Sequence, residues 1–354
     1  MNIFLNIIIG IVALLAFLLV ILVHEFGHFI AAKKCGVKVN EFAIGMGPKI
    51  FKIKKNDTLY SIRLFPIGGF CDVEGENKPS DNNHSYASKP VWQRMIIIVA
   101  GAVMNMVLAF IFMSIILVQQ NQFVSTKVSK FSENSVINQY GIEIGDEIIS
   151  INNYRTKTSR DISFAISISK NFLANIEVKR DNKKIILKNV NFTTELNEKR
   201  EPQIIRDFYF APINKNFYSF FVQLFRETSS IVRITYKSLF LMITGKVNLT
   251  DIVGPIGVLS VIGNVASAGL EINLISAINN IIFIMIVITV SLGITNLLPI
   301  PALDGGKFTI LLFELITKKR MNPDLESKIH TIGFILLMLV MILVTFSDIF
   351  KLFK

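Results

Sequence analysis

"LLVILVHEFGHFIAAKK", Leu18–Lys34, is an apolar run that abruptly carries His24, Glu25 and His28 and closes on Lys33 and Lys34. Working back from it, apolar residues extend to Ile3 with only Asn6 and Gly10 interrupting them, enough to span a bilayer. A secretory signal peptide is the rival reading. It is disfavoured because no basic residue precedes the run and no A-x-A-like site follows it. Ionisable side chains are costly in lipid, so three of them at the end of such a helix ask for a chemical reason. The alternative is that they merely snorkel or hydrogen-bond at a membrane boundary.

The rest of the chain agrees with a membrane protein. Its 354 residues are 51% hydrophobic and only 18% charged, with mean hydropathy +0.52. The apolar excess comes in blocks, as it does in chains that cross a membrane. Further blocks run over about 95–118, 277–298 and 332–350, giving about four spans. The net charge of +11 could suit nucleic acid, but no nucleic-acid motif occurs and the basic residues flank apolar blocks, so topology and lipid account for it. Two cysteines, Cys35 and Cys71, form no CxxC pair and no disulfide framework.

Lys33, Lys34, Lys38, Lys49, Lys52, Lys54, Lys55 and Arg63 crowd the first long connection, and Lys318, Lys319, Arg320 and Lys328 a later one. The positive-inside rule puts both in the cytoplasm and both chain ends outside, Lys351 and Lys354 opposing that last step. "LYSIRLFPIGGF", Leu59–Phe70, alternates and then breaks at Pro66, Gly68 and Gly69, which predicts a membrane-proximal strand or β-hairpin. "ENKPSDNNHS", Glu76–Ser85, predicts a polar loop. Residues 123–195 alternate short β-rich segments with turns and predict an inserted α+β module, with a hairpin turn at Asp181–Asn182 and a short helix in "SRDISFAISIS". The segment 217–245 is apolar yet holds Gln223, Arg226, Glu227, Arg233 and Lys237, and predicts a pair of amphipathic helices on the membrane surface. The expected division is therefore 1–122, two spans with the hairpin region; 123–195, the module; 196–276, surface helices and linker; and 277–354, two spans.

HEFGH fits H-E-x-x-H, in which two histidines one helical turn apart ligate one metal and the glutamate activates a water upon it. A catalytic zinc takes three protein ligands and an open position. His84 and His330 are the only other histidines, and a carboxylate is the other choice. Asp304 stands out in "NLLPIPALDGGKF": it interrupts an apolar block after Pro299 and Pro301 and before Gly305 and Gly306. The prolines break the helix, the glycines permit close approach, and such broken backbone at membrane depth is tolerated where it lines a cavity. The other role open to Asp304 is to cap the following helix.

HEFGH at the end of the first span, with NLLPIPALDGG after the third, resembles the site-2 protease family of intramembrane zinc metalloproteases. The order of parts is similar to its bacterial RseP/RasP-type branch over nearly the whole chain. The resemblance implies a polytopic α-helical membrane protein with a membrane-associated β-hairpin and an extracytoplasmic PDZ-like domain, set in the plasma membrane of a bacterial cell. It implies Zn2+ bound by His24, His28 and Asp304, with Glu25 as general base. It assigns substrate binding to Asn296, Pro299 and Pro301, to Gly68 and Gly69 of the hairpin, and to Asn105 of the second span. "YGIEIGDEIISINNY", Tyr140–Tyr154, resembles a PDZ signature, and "VGPIGV" matches a family segment of less certain role. Ala102 and Lys307 stand where relatives often carry Pro and His or Arg. The implied partners are lipid and single-span membrane proteins such as anti-sigma factors or signal-peptide remnants, cut in regulated intramembrane proteolysis. A transporter would call for an inverted repeat, which is not seen, and a silent scaffold has no need of an intact HExxH.

Overall fold

The structure, a computed structural model, describes residues 3–76, 80–133, 135–169, 172–196, 202–246 and 254–352. Parts of the expected polar loop (77–79) and of the expected linker (197–201 and 247–253) lie outside them. The chain folds as two compact units, one built from residues up to Phe112 and from Ser238 onward, the other from Met113–Lys237.

In the first unit, α1 (Ile3–Lys34) is followed by strands β1 (Val39–Lys55) and β2 (Thr58–Val73) and by helix α2 (Val91–Gln119). After the second unit come α5 (Pro255–Ile272), α6 (Leu274–Asn296), α7 (Asp304–Thr317) and α8 (Pro323–Leu352). Four stretches among the described residues are long and apolar enough to cross a membrane: Leu14–Lys34, Val91–Gln119, Leu274–Asn296 and Asp324–Phe350. α1 and α2 approach closely because glycines face each other: a Cβ on Gly27 would collide with the Ala100 carbonyl and lie 2.9 Å from Gly101 Cα. Val20, Leu108 and Met285 form a buried layer between α1, α2 and α6. One further carboxylate is absorbed by a helix end. Gly257 N, in the first turn of α5, donates to Asp348 Oδ2 at 2.8 Å. An acid within an apolar helix thereby meets the positive end of a helix dipole. That gives the "VGPIGV" segment a structural task.

The expected hairpin is more elaborate than a simple ribbon. Phe42 pairs with both Tyr60 and Cys71, and Ile44 with both Ile62 and Gly69. Each strand therefore doubles back, β1 around Gly45 and Gly47 (φ +83° and +88°) and β2 around Gly68 (φ +81°). The result is a small mixed sheet in the order 49–55, 58–63, 39–46, 65–73, its two central segments parallel and its outer pairs antiparallel, with residues 65–73 on one edge. Left-handed backbone is accessible to glycine without a Cβ penalty, which is why this sequence can fold over twice.

The second unit holds a five-strand path in the order β10 (Phe208–Asn214), β3 (Gln122–Phe131), β4 (Glu147–Ile151), β6 (Leu173–Arg180), β7 (Lys183–Asn191), with β5 (Tyr154–Arg155) paired to β4. A two-stranded ribbon joins β8 (Thr194–Leu196) to β9 (Pro202–Ile204). Helix α3 (Ser159–Ser167) covers a core of Ile148, Ile151, Ile162, Ile176 and Val178. The expected hairpin turn is present: Asp181 and Asn182 have φ of 47° and 66°. Two successive positive φ values are the type I′ signature. The expected boundary at 195 is corrected, since β10 hydrogen-bonds to β3 and Phe208 is buried in the core. Its short "DFYF" run follows a polar stretch and carries no turn signal to mark it as the same sheet.

The expected helix pair over 217–245 is also corrected. It is one 27-residue helix, α4 (Phe217–Ile243). Several of its polar residues are buried: Gln223, Glu227 and Ser230 are all under a tenth exposed, while Arg226 is exposed. They meet α3, where Arg160 Nε donates to Glu227 at 2.8 Å and Arg233 Nη2 to Asp161 at 2.5 Å. Asp161 also accepts from Ser230 Oγ at 2.8 Å and from the amides of Lys157 and Thr158. The last of these closes a capping box at the start of α3. Removing one member of a buried ionic network costs about 3–5 kcal/mol because its partners are left unpaired. Asp161→Ala is accordingly expected to raise hydrogen exchange over 158–168 and 223–233 of the full-length protein together. An effect confined to α3 would contradict that shared network.

Candidate metal centre

His24 and His28 lie one turn apart on α1, and the Asp304 carboxylate, 280 residues on from His24, reaches them from the first turn of α7. His24 Nε2 is 3.1 Å from Asp304 Oδ2 and 3.2 Å from His28 Nε2, and His28 Nε2 is 3.3 Å from Asp304 Oδ2. They are a group of His and Asp side chains able to share one ion. A tetrahedral zinc with bonds of about 2.0–2.1 Å separates its donor atoms by about 3.3 Å, so a near-equilateral triangle of two imidazoles and a carboxylate fits that ion.

The surroundings fit it too. His28 Nδ1 lies 2.8 Å from the Ile97 carbonyl. A carbonyl can only accept, so the proton sits on Nδ1 and Nε2 keeps its lone pair for a metal. Space is made by Gly101 on α2: a Cβ there would collide with His28 Nε2 and stand 2.7 Å from His24 Cε1.

Asp304 is delivered by a tight connection. α6 ends at Asn296, and Leu297–Leu303 descend through short turns, Ile300 N donating to Leu298 O at 2.7 Å and Leu303 N to Ile300 O at 3.2 Å. Ala302 takes φ +77°. That conformation is uncommon for a residue with a Cβ. Its amide donates to His330 Nδ1 at 2.9 Å, so His330 supports the loop and is not in the metal group. Cβ atoms on Gly305 or Gly306 would strike the carbonyls of Leu298 and Ile300. Asp304 is the first residue of α7 and makes no side-chain cap, so the capping role that the sequence left open is not the one taken.

Glu25 stands beside the triangle. Its Oε2 accepts from Cys71 N at 3.1 Å, which ties it to the edge strand 65–73. Burial, with the Glu25 charge adding to it, holds the Cys71 thiol far above its ordinary pKa, so it is a neutral neighbour and no thiolate ligand. A cavity of about 400 Å³ is lined by Glu25, Phe70, Cys71, Asn296, Leu303 and Lys307, among others. Lys307 Nζ donates to Glu76 at 2.6 Å; burial opposes its charge, but Glu76 outweighs that and keeps it an ammonium.

The other sequence candidates are placed as follows. Asn296 lines the cavity with its Nδ2 3.1 Å from His24 Nε2. Gly69 approaches Glu25, its Cβ position lying 3.9 Å from Glu25 Cγ, whereas Gly68 forms the bend of β2. Pro299 and Pro301 shape the connection but do not line the cavity. Asn105 is fully buried behind His24, outside the lining. Glu76 and Ile97 escaped sequence reasoning, the first because it sits in a polar loop, the second because its contribution is a carbonyl.

A family model described as Peptidase family M50 matches residues 12–340. The chain is 38% identical over 342 residues to a Clostridium acetobutylicum protein named a candidate zinc metalloprotease, covering 96% of each. It is 29% identical to the "Regulator of sigma-W protease RasP" of Bacillus subtilis, covering 93% of this chain and 95% of that one. With "Zinc metalloprotease RasP" of Bacillus licheniformis the identity is 28%, over 93% of this chain and 96% of that one. With two histidines and an aspartate poised around one point, four helices among the described residues long and apolar enough to cross a membrane, and matches that run nearly end to end, the chain belongs to peptidase family M50, the site-2 type zinc metalloproteases.

Proposed function

We propose that this protein is an endopeptidase that hydrolyses peptide bonds within the transmembrane segments of single-span membrane proteins, with His24, His28 and Asp304 holding zinc and Glu25 as general base. The observation that carries it is the donor triangle, two of whose members stand on a helix long enough to span. His24 lies ten residues before Lys34, about 15 Å along the helix axis, which is half of a hydrocarbon core of about 30 Å. Zinc, when bound, supplies a Lewis acid and brings a water's pKa to about 7.

The protein's own groups do the rest. Glu25, oriented by the Cys71 amide, takes the proton of the attacking water and returns it to the leaving nitrogen. Asn296 offers an amide donor at the cavity to a carbonyl of the substrate. A helical substrate hides its scissile bond and must unwind, and exposed amides are costly in lipid. The edge at 65–73 suits this need: Cys71 N–H points away from strand 39–46 and is taken by Glu25, and by strand alternation Gly69 presents its N–H and C=O to the same side, where a substrate strand can pair. An extended substrate pairing there would run past Glu25.

The charge distribution supports a cytoplasmic side for the hairpin and Lys33–Lys34, and an outer side for the sheet domain. We read that domain as PDZ-like. "YGIEIGDEIISINNY" places Gly141 and Gly145 at φ of 91° and 101° and buries Asp146, Ile148 and Ile151. Its proposed task is to admit substrates with short outer stems. The proposed substrates are anti-sigma factors or signal-peptide remnants, the former consonant with the name of the Bacillus subtilis relative.

The test is metal dependence. The purified protein is expected to hold one zinc per chain, to lose cleavage of a single-span reporter on chelation, and to regain it with zinc. A zinc-free wild type that cleaves at full rate would overturn the reading.

A further inference from the structure

We propose that Asn105 is a positioning residue for zinc binding: through its carboxamide it sets the tautomer of His24. An imidazole ligates through a bare nitrogen, so its other nitrogen carries the proton and needs an acceptor. For His28 that acceptor is the Ile97 carbonyl. For His24 the group facing Nδ1 is the Asn105 carboxamide, at 3.3 Å. Both side chains are buried, His24 at 4% and Asn105 at 0% exposure, so water does not substitute.

With its Nδ2 toward His24, Asn105 donates to Nδ1, and the imidazole proton stands on Nε2, within 3.1 Å of Asp304 Oδ2. Asn105 Oδ1 meanwhile has no partner among the described residues. Turned over about its last bond, the carboxamide presents Oδ1 as an acceptor to Nδ1–H, and Nε2 is freed to ligate. The oxygen and nitrogen ends of an amide are nearly equal in shape, so the turn needs no repacking. Asparagine thus serves both protonation patterns of His24, which neither an acceptor-only nor an apolar residue can do.

The backbone around Asn105 is fixed. Thr289 Oγ1 donates to its carbonyl at 3.3 Å, and a Cβ on Gly293 of α6 would stand 3.3 Å from Asn105 Cβ. Asn105 is one turn beyond Gly101 on α2, so one face of that helix both makes room for the imidazoles and orients one of them. It does not line the cavity, so substrate affinity is not its task.

This rests on the zinc reading above, and its test separates the two. Zinc dissociation constants are measured by competition with a chelator on the purified full-length protein. Asn105→Leu is expected to weaken zinc about 10–100-fold, the usual effect of losing a partner of a ligating histidine. Asn105→Asp, an acceptor that cannot donate, is expected to hold zinc at least as tightly as wild type. For the Asp variant KM of a reporter should stay unchanged. Wild-type zinc affinity in Asn105→Leu, or equal loss in both variants, would overturn the positioning role while leaving the zinc site standing. Absence of zinc from the wild type would instead remove the reading on which it rests.

Discussion

Glu25→Gln is expected to leave the protein folded and loaded with zinc and to lower cleavage of a single-span reporter by at least about a thousandfold. Glutamine keeps an oxygen for the Cys71 amide, whose 3.1 Å hydrogen bond joins α1 to the edge strand, so the local packing survives. What it loses is the capacity to take a proton. Positioned acid–base groups contribute about 10²–10⁴ in rate, and here one carboxylate serves both the attack and the departure. The measurement is cleavage in detergent or liposomes, with zinc content determined on the same sample. Cleavage at the wild-type rate would show that another group is the base. Loss of zinc together with activity would show that Glu25 holds the centre together structurally instead.

The parts of this centre differ in how plainly the sequence displays them. HEFGH is legible because helical periodicity is local: the two histidines at i and i+4 share a face in any helix. Asp304 is legible because prolines and glycines crowd it in an apolar block. What lies between them is legible only in three dimensions. The sequence marks Gly68 as a bend but not the double reversal that makes residues 65–73 an edge, because strand order depends on pairings across the whole 39–73 segment. Ile97 supplies a main-chain carbonyl, and no side-chain pattern reports that. The resemblance assigns Asn105 to substrate, whereas the fold sets it behind His24.

The charged residues of α4 mislead for a related reason. Arg226, Glu227, Arg233 and Lys237 at helical spacing read as the polar stripe of helices lying on the membrane surface. Glu227 and Arg233 instead pair with Arg160 and Asp161 of α3, a partner some seventy residues earlier in the chain. Amphipathicity tells which faces of a helix differ and not what each face meets.

Gly101→Ala is expected to weaken zinc by at least about a hundredfold, although it adds a single methyl group and improves helix propensity. A Cβ on Gly101 would lie 2.4 Å from His28 Nε2 and 2.7 and 2.8 Å from His24 Cε1 and Nε2. Neither ring has an easy retreat, as His28 Nδ1 is tied to Ile97 O at 2.8 Å and His24 backs onto buried Asn105. Nor can α2 back away, because α6 is packed behind it, where a Cβ on Gly293 would lie 3.3 Å from both Ala102 O and Asn105 Cβ. The methyl group therefore competes for the space in which the two imidazoles meet. A hundredfold corresponds to about 2.7 kcal/mol, well within what overpacking a fixed site costs. Gly263→Ala supplies the contrast. It too lies within a helix, α5, but a Cβ there meets nothing within 4 Å. That substitution should leave zinc untouched and, by the usual helix preference, add about 0.5–1 kcal/mol of stability. Zinc affinities measured on monodisperse samples of both variants separate a local clash from a general intolerance of change in the membrane helices. Wild-type affinity in Gly101→Ala would mean that the histidines do not sit where the donor triangle requires.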